Sequence, residues 1–95
     1  MRRSLISTSK FEKSYRKFVR SNNFIQKSID DALKQLEEDA FSQNLVTHKL
    51  YGNLHGLFAC SCGYDCRIVF SIQKDLDNRK ENIILIDIGT HEEVY

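Results

Sequence analysis

The chain has 95 residues, of which 41% are apolar and 28% charged, values that fit a single globular domain over 1–95 and exclude wholesale disorder. No apolar run approaches the ~18 residues that cross a bilayer, and the opening Met-Arg-Arg is followed by too few apolar residues for a secretory signal, so no membrane association is expected. The net charge of +1 hides an asymmetry: residues 1–20 carry seven basic side chains against one acid, or +6, while residues 21–95 carry seven against twelve, or −5.

A domain this small buries about two thirds of its unfolded surface and has little depth for a pocket. A shallow cleft is expected, of the kind that suits polymers and partner proteins. The basic first twenty residues fit either a solvated helix face or a surface for phosphates or an acidic partner. Cys60, Cys62 and Cys66 are odd in number and crowded into seven positions. That pattern predicts reduced thiols packed in a core, in a cytoplasmic setting. Cys-x-Cys also departs from the Cys-x₂₋₄-Cys spacing of a zinc knuckle, even with His48 or His55 as a further ligand, so no metal site is expected.

Residues 3–8 predict a short first strand. Ser9 stands three residues before Glu12 and reads as a capping box. Phe11, Tyr15, Phe18 and Val19 then form one helical face, with Lys10, Lys13, Arg16, Lys17 and Arg20 largely off it. Ser21-Asn22-Asn23 stops the helix. A second helix is predicted from about Phe24 to Phe41, on the 3–4 spacing of Ile25, Ile29, Ala32, Leu33, Leu36 and Ala40. The two read as a helical hairpin.

Beyond Ser42 the period changes. Alternation predicts a strand from about 54 to 62, a turn at Gly63, a strand from Arg67 to Ile72, and a charged connection over 75–80. The nearly unbroken apolar run Ile83–Ile88 predicts a central strand buried on both faces, ended by Gly89. The order is β-α-α-β-β-β. It predicts an α+β domain with the helical hairpin packed on a small, mainly antiparallel sheet.

Polar residues that carry chemistry cluster in the second half. His48 precedes Gly52, Asp65 and Arg67 flank the start of the third strand, and His91 and Tyr95 lie in the tail. If the last strands share a sheet, these side chains converge as a base, an acid and a cation for a charged transition state. Each has a plainer reading: a surface histidine, a turn aspartate, an arginine paired with Asp65 or Asp87 across the sheet, a frayed C-terminus. No local signature surrounds a nucleophilic cysteine.

Three segments in order carry a resemblance: His48-Lys49-Leu50-Tyr51-Gly52, Gly63-Tyr64-Asp65-Cys66-Arg67-Ile68-Val69-Phe70, and Ile86-Asp87-Ile88-Gly89-Thr90-His91 with Val94-Tyr95. Together they resemble the RelE/ParE superfamily of toxins, most nearly its YafQ-type mRNA interferases of type II toxin–antitoxin systems. The resemblance covers essentially the whole chain. It implies a RelE-like fold and a metal-independent, ribosome-dependent endoribonuclease that inhibits translation. It also implies a cognate antitoxin as partner, with operator DNA reached through that antitoxin, and no cofactor. It assigns catalytic roles to His48, Asp65, His91 and Tyr95, and to Arg67 from the RelE branch. Two departures stand out. Ser61 occupies a position where the branch often has a further histidine, and Phe58 and Cys60 stand where RelE itself has lysines. The acid–base set here therefore leans on His48, Asp65 and His91. The alternative the resemblance leaves is a ParE-like gyrase-inhibiting or inactive binding module.

Overall fold

The computed structural model describes residues 2–95. The chain runs β1 (Ser4–Ser7), α1 (Ser9–Ser21), α2 (Gln26–Glu38), β2 (His48–Lys49), β3 (Phe58–Gly63), β4 (Cys66–Lys74), β5 (Glu81–Gly89) and α3 (His91–Val94). The strands form one sheet in the order β1-β5-β4-β3-β2. Only β1 and β5 pair parallel; the other neighbours are antiparallel. The α+β architecture is the expected one, with two short elements added: β2 and α3.

The start of α1 differs from the expected capping box. Its cap is Thr8, whose Oγ1 accepts from the Phe11 N–H at 3.1 Å. The same hydroxyl donates to the Leu85 carbonyl at 2.8 Å. One side chain thus closes the helix and ties it to β5, which Ser9, already the first helical residue, is not placed to do. Helix α2 is shorter than predicted at both ends. A 3-10 turn covers Asn23–Ile25, and Asp39 takes an extended conformation at the C-cap.

The strands divide the side chains between two clusters. Phe11, Phe18, Ile29 and Leu36 of the helices pack on Cys60, Cys62, Ile68, Phe70, Ile83 and Leu85. On the opposite face Leu50, Ala59, Val69 and Val94 form a smaller cluster. The apolar run on β5 is not buried on both faces along its length. Ile83, Leu85 and Ile88 are buried, whereas Ile84, Ile86 and Asp87 are half-buried. The register explains this. Val69 opposes Asp87 and Phe70 opposes Leu85, so Ile86 is the extra residue of a bulge that switches the alternation.

The expected third element, 54–62, is also corrected. Leu54 lies in a 3-10 turn over Gly52–Leu54, and the strand begins at Phe58. The connection before it contributes the two-residue edge strand β2, where His48 opposes Ala59 and Lys49 opposes Phe58.

The cysteines are not all free. Cys62 and Cys66 form a disulfide, and only Cys60 is a free, buried thiol. The reason is the tightness of the β3–β4 hairpin. Gly63 opposes Cys66, which leaves the two cysteines 5.1 Å apart at Cα, inside the bridging range. Sequence crowding therefore reflects facing positions on one hairpin, not thiols that only pack.

Phe70 is fully buried and stacked on Phe58 at 5.6 Å between centroids. Phe70→Ala is expected to cost ~3–5 kcal/mol, read from the denaturation midpoint. Exposed Phe24→Ala is expected to stay within about 0.5 kcal/mol of the parent in the same measurement.

Candidate functional site

Of the five candidate side chains, His48, His91 and Tyr95 are in contact, the Arg67 charge acts on Tyr95, and Asp65 reaches the group only through the His91 backbone. Arg67 sits on β4 between Ser61 of β3 and Gly89 of β5. That places it where β5 gives way to α3. Its Nη1 donates to the Cys66 carbonyl at 2.9 Å. Among the described residues it makes no ion pair, so the pairing with Asp65 or Asp87 does not form.

A four-residue helix is too short to hold itself in water. α3 is held by its ends and its one apolar residue. Thr90 and Glu93 form a capping box: Thr90 Oγ1 accepts from the Glu93 N–H at 3.3 Å, and Glu93 Oε1 accepts from the Thr90 N–H at 2.9 Å. Asp65 supplies the third acceptor. Its Oδ1 takes the His91 N–H at 3.1 Å across 26 positions of sequence. Val94 is buried against the sheet and anchors the turn from below. Gly89 is fitted to this packing. A Cβ there would lie 3.2 Å from Cβ of Glu93 and 3.4 Å from Cγ1 of Val94.

With α3 fixed, His91 and Tyr95 meet one turn apart, edge to face, with centroids 4.5 Å apart. The Tyr95 hydroxyl lies 3.4 Å from Nε2 of His48. On the other side of that ring, Nδ1 lies 3.1 Å from the Val46 carbonyl. A carbonyl can only accept, so in the neutral imidazole Nδ1 carries the proton and Nε2 presents its lone pair to Tyr95. His48, His91, Asp65 and Tyr95 are exposed and Arg67 is half-buried, so the site is an open rim.

Asp65 has φ 48°, a left-handed conformation that aspartate tolerates better than most residues. The turn that imposes it aims the carboxylate at α3. Its place is thus a positioning contact to the His91 backbone as well as a candidate proton acceptor. Two residues the sequence reading passed over, Thr90 and Glu93, complete the support. Their signal was readable, since Thr-x-x-Glu is itself a capping box.

Burial raises the Tyr95 phenol above its usual 10.0; the nearby Arg67 charge pulls it down and Cys60 pushes it up. The phenol is therefore a neutral donor at neutral pH. Burial pushes the Cys60 thiol from 9.0 to about 12, against the opposing pull of Arg67. A thiol held protonated in the core is no nucleophile. Among the described residues no three His, Cys, Asp or Glu side chains gather as a metal site, and no helix is long and apolar enough to cross a membrane.

The family described as the bacterial toxin of type II toxin–antitoxin system, YafQ, matches residues 3–95 of this chain. The fold is similar to YafQ from E. coli strain BL21(DE3), with a TM-score of 0.78 at 10% identity over 99% of this chain and 99% of that one. It is similar to the E. coli DinJ–YafQ toxin–antitoxin complex, with a TM-score of 0.76 at 11% identity over 100% of this chain and 99% of that one. A YoeB/ParE toxin from Agrobacterium tumefaciens gives a TM-score of 0.73 at 16% identity over 93% of this chain and 98% of that one. At these identities the structural likeness is one of fold. No curated protein sequence matches.

The Cys60 shift has a consequence for stability. Below about pH 9 the thiol is protonated in both folded and unfolded chains. Between 9 and about 12 the unfolded chain ionises it and the folded chain does not, so rising pH draws the equilibrium toward unfolding. Denaturation midpoints are expected to fall across that window, and less steeply in Cys60→Ala.

Proposed function

The chain belongs to the YafQ family of bacterial type II toxin–antitoxin toxins, and on that premise we propose that it is an endoribonuclease that cleaves mRNA on the ribosome. The observation that carries this reading is the contact of His48, His91 and Tyr95 at one open rim, with Asp65 pinning the His91 backbone and the Arg67 charge acting on Tyr95. A binding module has no need of two imidazoles held within reach of one phenol.

RNA brings its own nucleophile, the 2′-OH beside the scissile phosphate. In the proposed reaction that oxygen attacks phosphorus, the P–O5′ bond breaks, and a 2′,3′-cyclic phosphate and a 5′-hydroxyl result. The attack needs a base on one side and an acid on the other. His48 fits the base, because its Nδ1–H is engaged by Val46 and its basic lone pair lies at Nε2. His91 fits the acid that protonates the leaving 5′-oxygen. Its backbone is pinned by Asp65 while its imidazole stands at the rim. Arg67 supplies charge at the floor, with contacts that strengthen as negative charge grows on the phosphorane. Tyr95 donates a hydrogen bond and offers a ring face to a base. No step requires a metal or a cofactor.

The partners follow from charge. Among the described residues, Lys10 is the one basic residue of α1 that is paired, to Asp87 at 3.6 Å. Lys13, Arg16, Lys17 and Arg20 make no ion pair among the described residues. This exposed basic face fits ribosomal RNA or an acidic cognate antitoxin.

His91→Gln keeps hydrogen-bonding capacity but cannot shuttle a proton. It is expected to fold and to lose cleavage of ribosome-bound mRNA by roughly 10²–10⁴-fold. Cleavage at the parent rate would falsify the acid–base assignment and favour a binding-only role. Arg67→Ala is expected to lose cleavage as well, with thermal unfolding measured beside it to separate loss of fold from loss of charge.

Reversing Lys13, Arg16 and Lys17 together is expected to weaken association with ribosomes or antitoxin, more at low salt than at high. Unchanged binding to both at every salt concentration retires the assigned role of α1.

A further inference from the structure

The tip of the β3–β4 hairpin has little packing to hold it in one shape. Gly63 has no side chain, Tyr64 is 97% exposed and Asp65 is exposed, so no side chain of the tip enters the core. The ladder is irregular just before it. The register shifts between Ser61 and Gly63, and the Ser61 hydroxyl reaches the Gly63 carbonyl only at 3.4 Å, a weak contact. Asp65 nevertheless holds φ 48°, a conformation that costs free energy for a residue with a Cβ. A residue stays in such a conformation only where its surroundings over-determine it.

The Cys62–Cys66 disulfide closes around these three residues. Both cysteines belong to the larger cluster, and Ser28 fixes the first of them by donating from Oγ to the Cys62 carbonyl at 2.8 Å. The bridge thus ties the exposed tip to side chains that the helices cover. A ring of five residues restricts the unfolded chain less than a long loop would, so much of its effect is local.

What is local here is the candidate site. The carboxylate that takes the His91 N–H lies inside the ring, on Asp65. If Asp65 leaves its left-handed conformation, the carboxylate turns away from α3. The short helix then loses one of its few acceptors, and with it the hold on His91 and Tyr95.

We infer that the Cys62–Cys66 disulfide is a positioning device for the cleavage site. Closed, it holds Asp65 on the His91 backbone and keeps α3 formed; open, it releases both. The inference rests on the nuclease reading above and extends it to two cysteines outside the acid–base set. Closing the bridge removes two electrons and two protons from the two thiols. A low-molecular-weight disulfide such as oxidised glutathione accepts them and leaves as two thiols. Cleavage is thereby coupled to the redox state of the surrounding thiols.

The test compares two states of one chain. The parent, and Cys60→Ala in which a single pairing can form, are each refolded in a glutathione redox buffer or with a phosphine reductant. Mass spectrometry reads the bridge. By NMR, the His91 amide is expected to exchange with solvent about tenfold more slowly in the oxidised form, the weight of one hydrogen bond to a charged acceptor. On ribosomes programmed with a short mRNA, kcat is expected to fall about as much on reduction, because fewer molecules hold α3 at any instant. KM is expected to change little, since the ring carries no basic residue to meet RNA. The double variant Cys62→Ala, Cys66→Ala is expected to match the reduced parent in either buffer. Free Cys62 and Cys66 thiols after the glutathione buffer, or equal His91 exchange in the two forms, overturn the inference. So does a lower unfolding midpoint on reduction with kcat and His91 exchange unchanged, the mark of a bridge that only stabilises. An oxidised parent that cuts no mRNA overturns the nuclease reading, while the His91 comparison still decides what the bridge does.

Discussion

The hydrogen bond from the His91 N–H to the Asp65 carboxylate joins the two parts of the chain on which the site depends. Without acceptors for its first N–H groups, a helix of four residues competes poorly with water for them. Asp65 takes one of those groups, Thr90 takes another, and Glu93 closes the turn by accepting the Thr90 N–H. Because Asp65 belongs to the β3–β4 hairpin, the last five residues are fixed relative to the sheet and not merely to one another. The positions of His91 and Tyr95 are thereby consequences of sheet register. The bulge at Ile86 contributes to the same end, since it resets which β5 residues face the helices just before Gly89 leaves the sheet.

The two faces of the sheet have different work. The helix-covered face carries most of the apolar burial, including Phe70, Ile68 and Cys60. The other face carries only Leu50, Ala59, Val69 and Val94 as its buried cluster. It is open enough for Arg67 to remain half-buried beside them. A cation in that position is partly desolvated without being enclosed. Its field reaches both the Tyr95 phenol and the Cys60 thiol, lowering the proton affinity of each against the rise caused by burial. A charge with no carboxylate partner among the described residues keeps its attraction for an incoming phosphate. An ion pair at the same place would have spent that attraction within the protein.

Much of this was legible in the sequence. Periodicity locates both long helices, alternation and composition locate β3 and β4, an unbroken apolar run marks β5, and β1 shows only as a short segment ahead of the helix, since none of its four residues is buried. β2 has two residues and α3 four, too few to show a period, and both hold site residues. α3 still left a trace in Thr90-x-x-Glu93. The Ser9–Glu12 pair, with the same spacing, was displaced by one residue because Thr8 also reaches the Leu85 carbonyl, a tertiary contact that no local pattern encodes. The Cys62–Cys66 disulfide depends on hairpin register, and an odd count of crowded cysteines argued against it. The individual candidate residues are visible by type and resemblance. Their mutual support was not, since Asp65 and His91 are 26 positions apart and His48 and Tyr95 are 47 apart.

The way these side chains are held suits the proposed cleavage of a polymer at an open rim. Asp65 grips His91 by its backbone, so the imidazole is placed without using either ring nitrogen. His48 is held through Nδ1 alone, which leaves Nε2 in contact only with a tyrosine hydroxyl at 3.4 Å. A contact that long is weak and yields readily to a better donor. Had the rings been fixed by carboxylates on both nitrogens, they would be better ordered and less able to exchange protons with a substrate. The fold therefore places its strong hydrogen bonds in main-chain geometry and leaves the ring nitrogens at the surface. A small domain with no deep pocket can orient two imidazoles in this way, because orientation is inherited from the strands and turns that carry them.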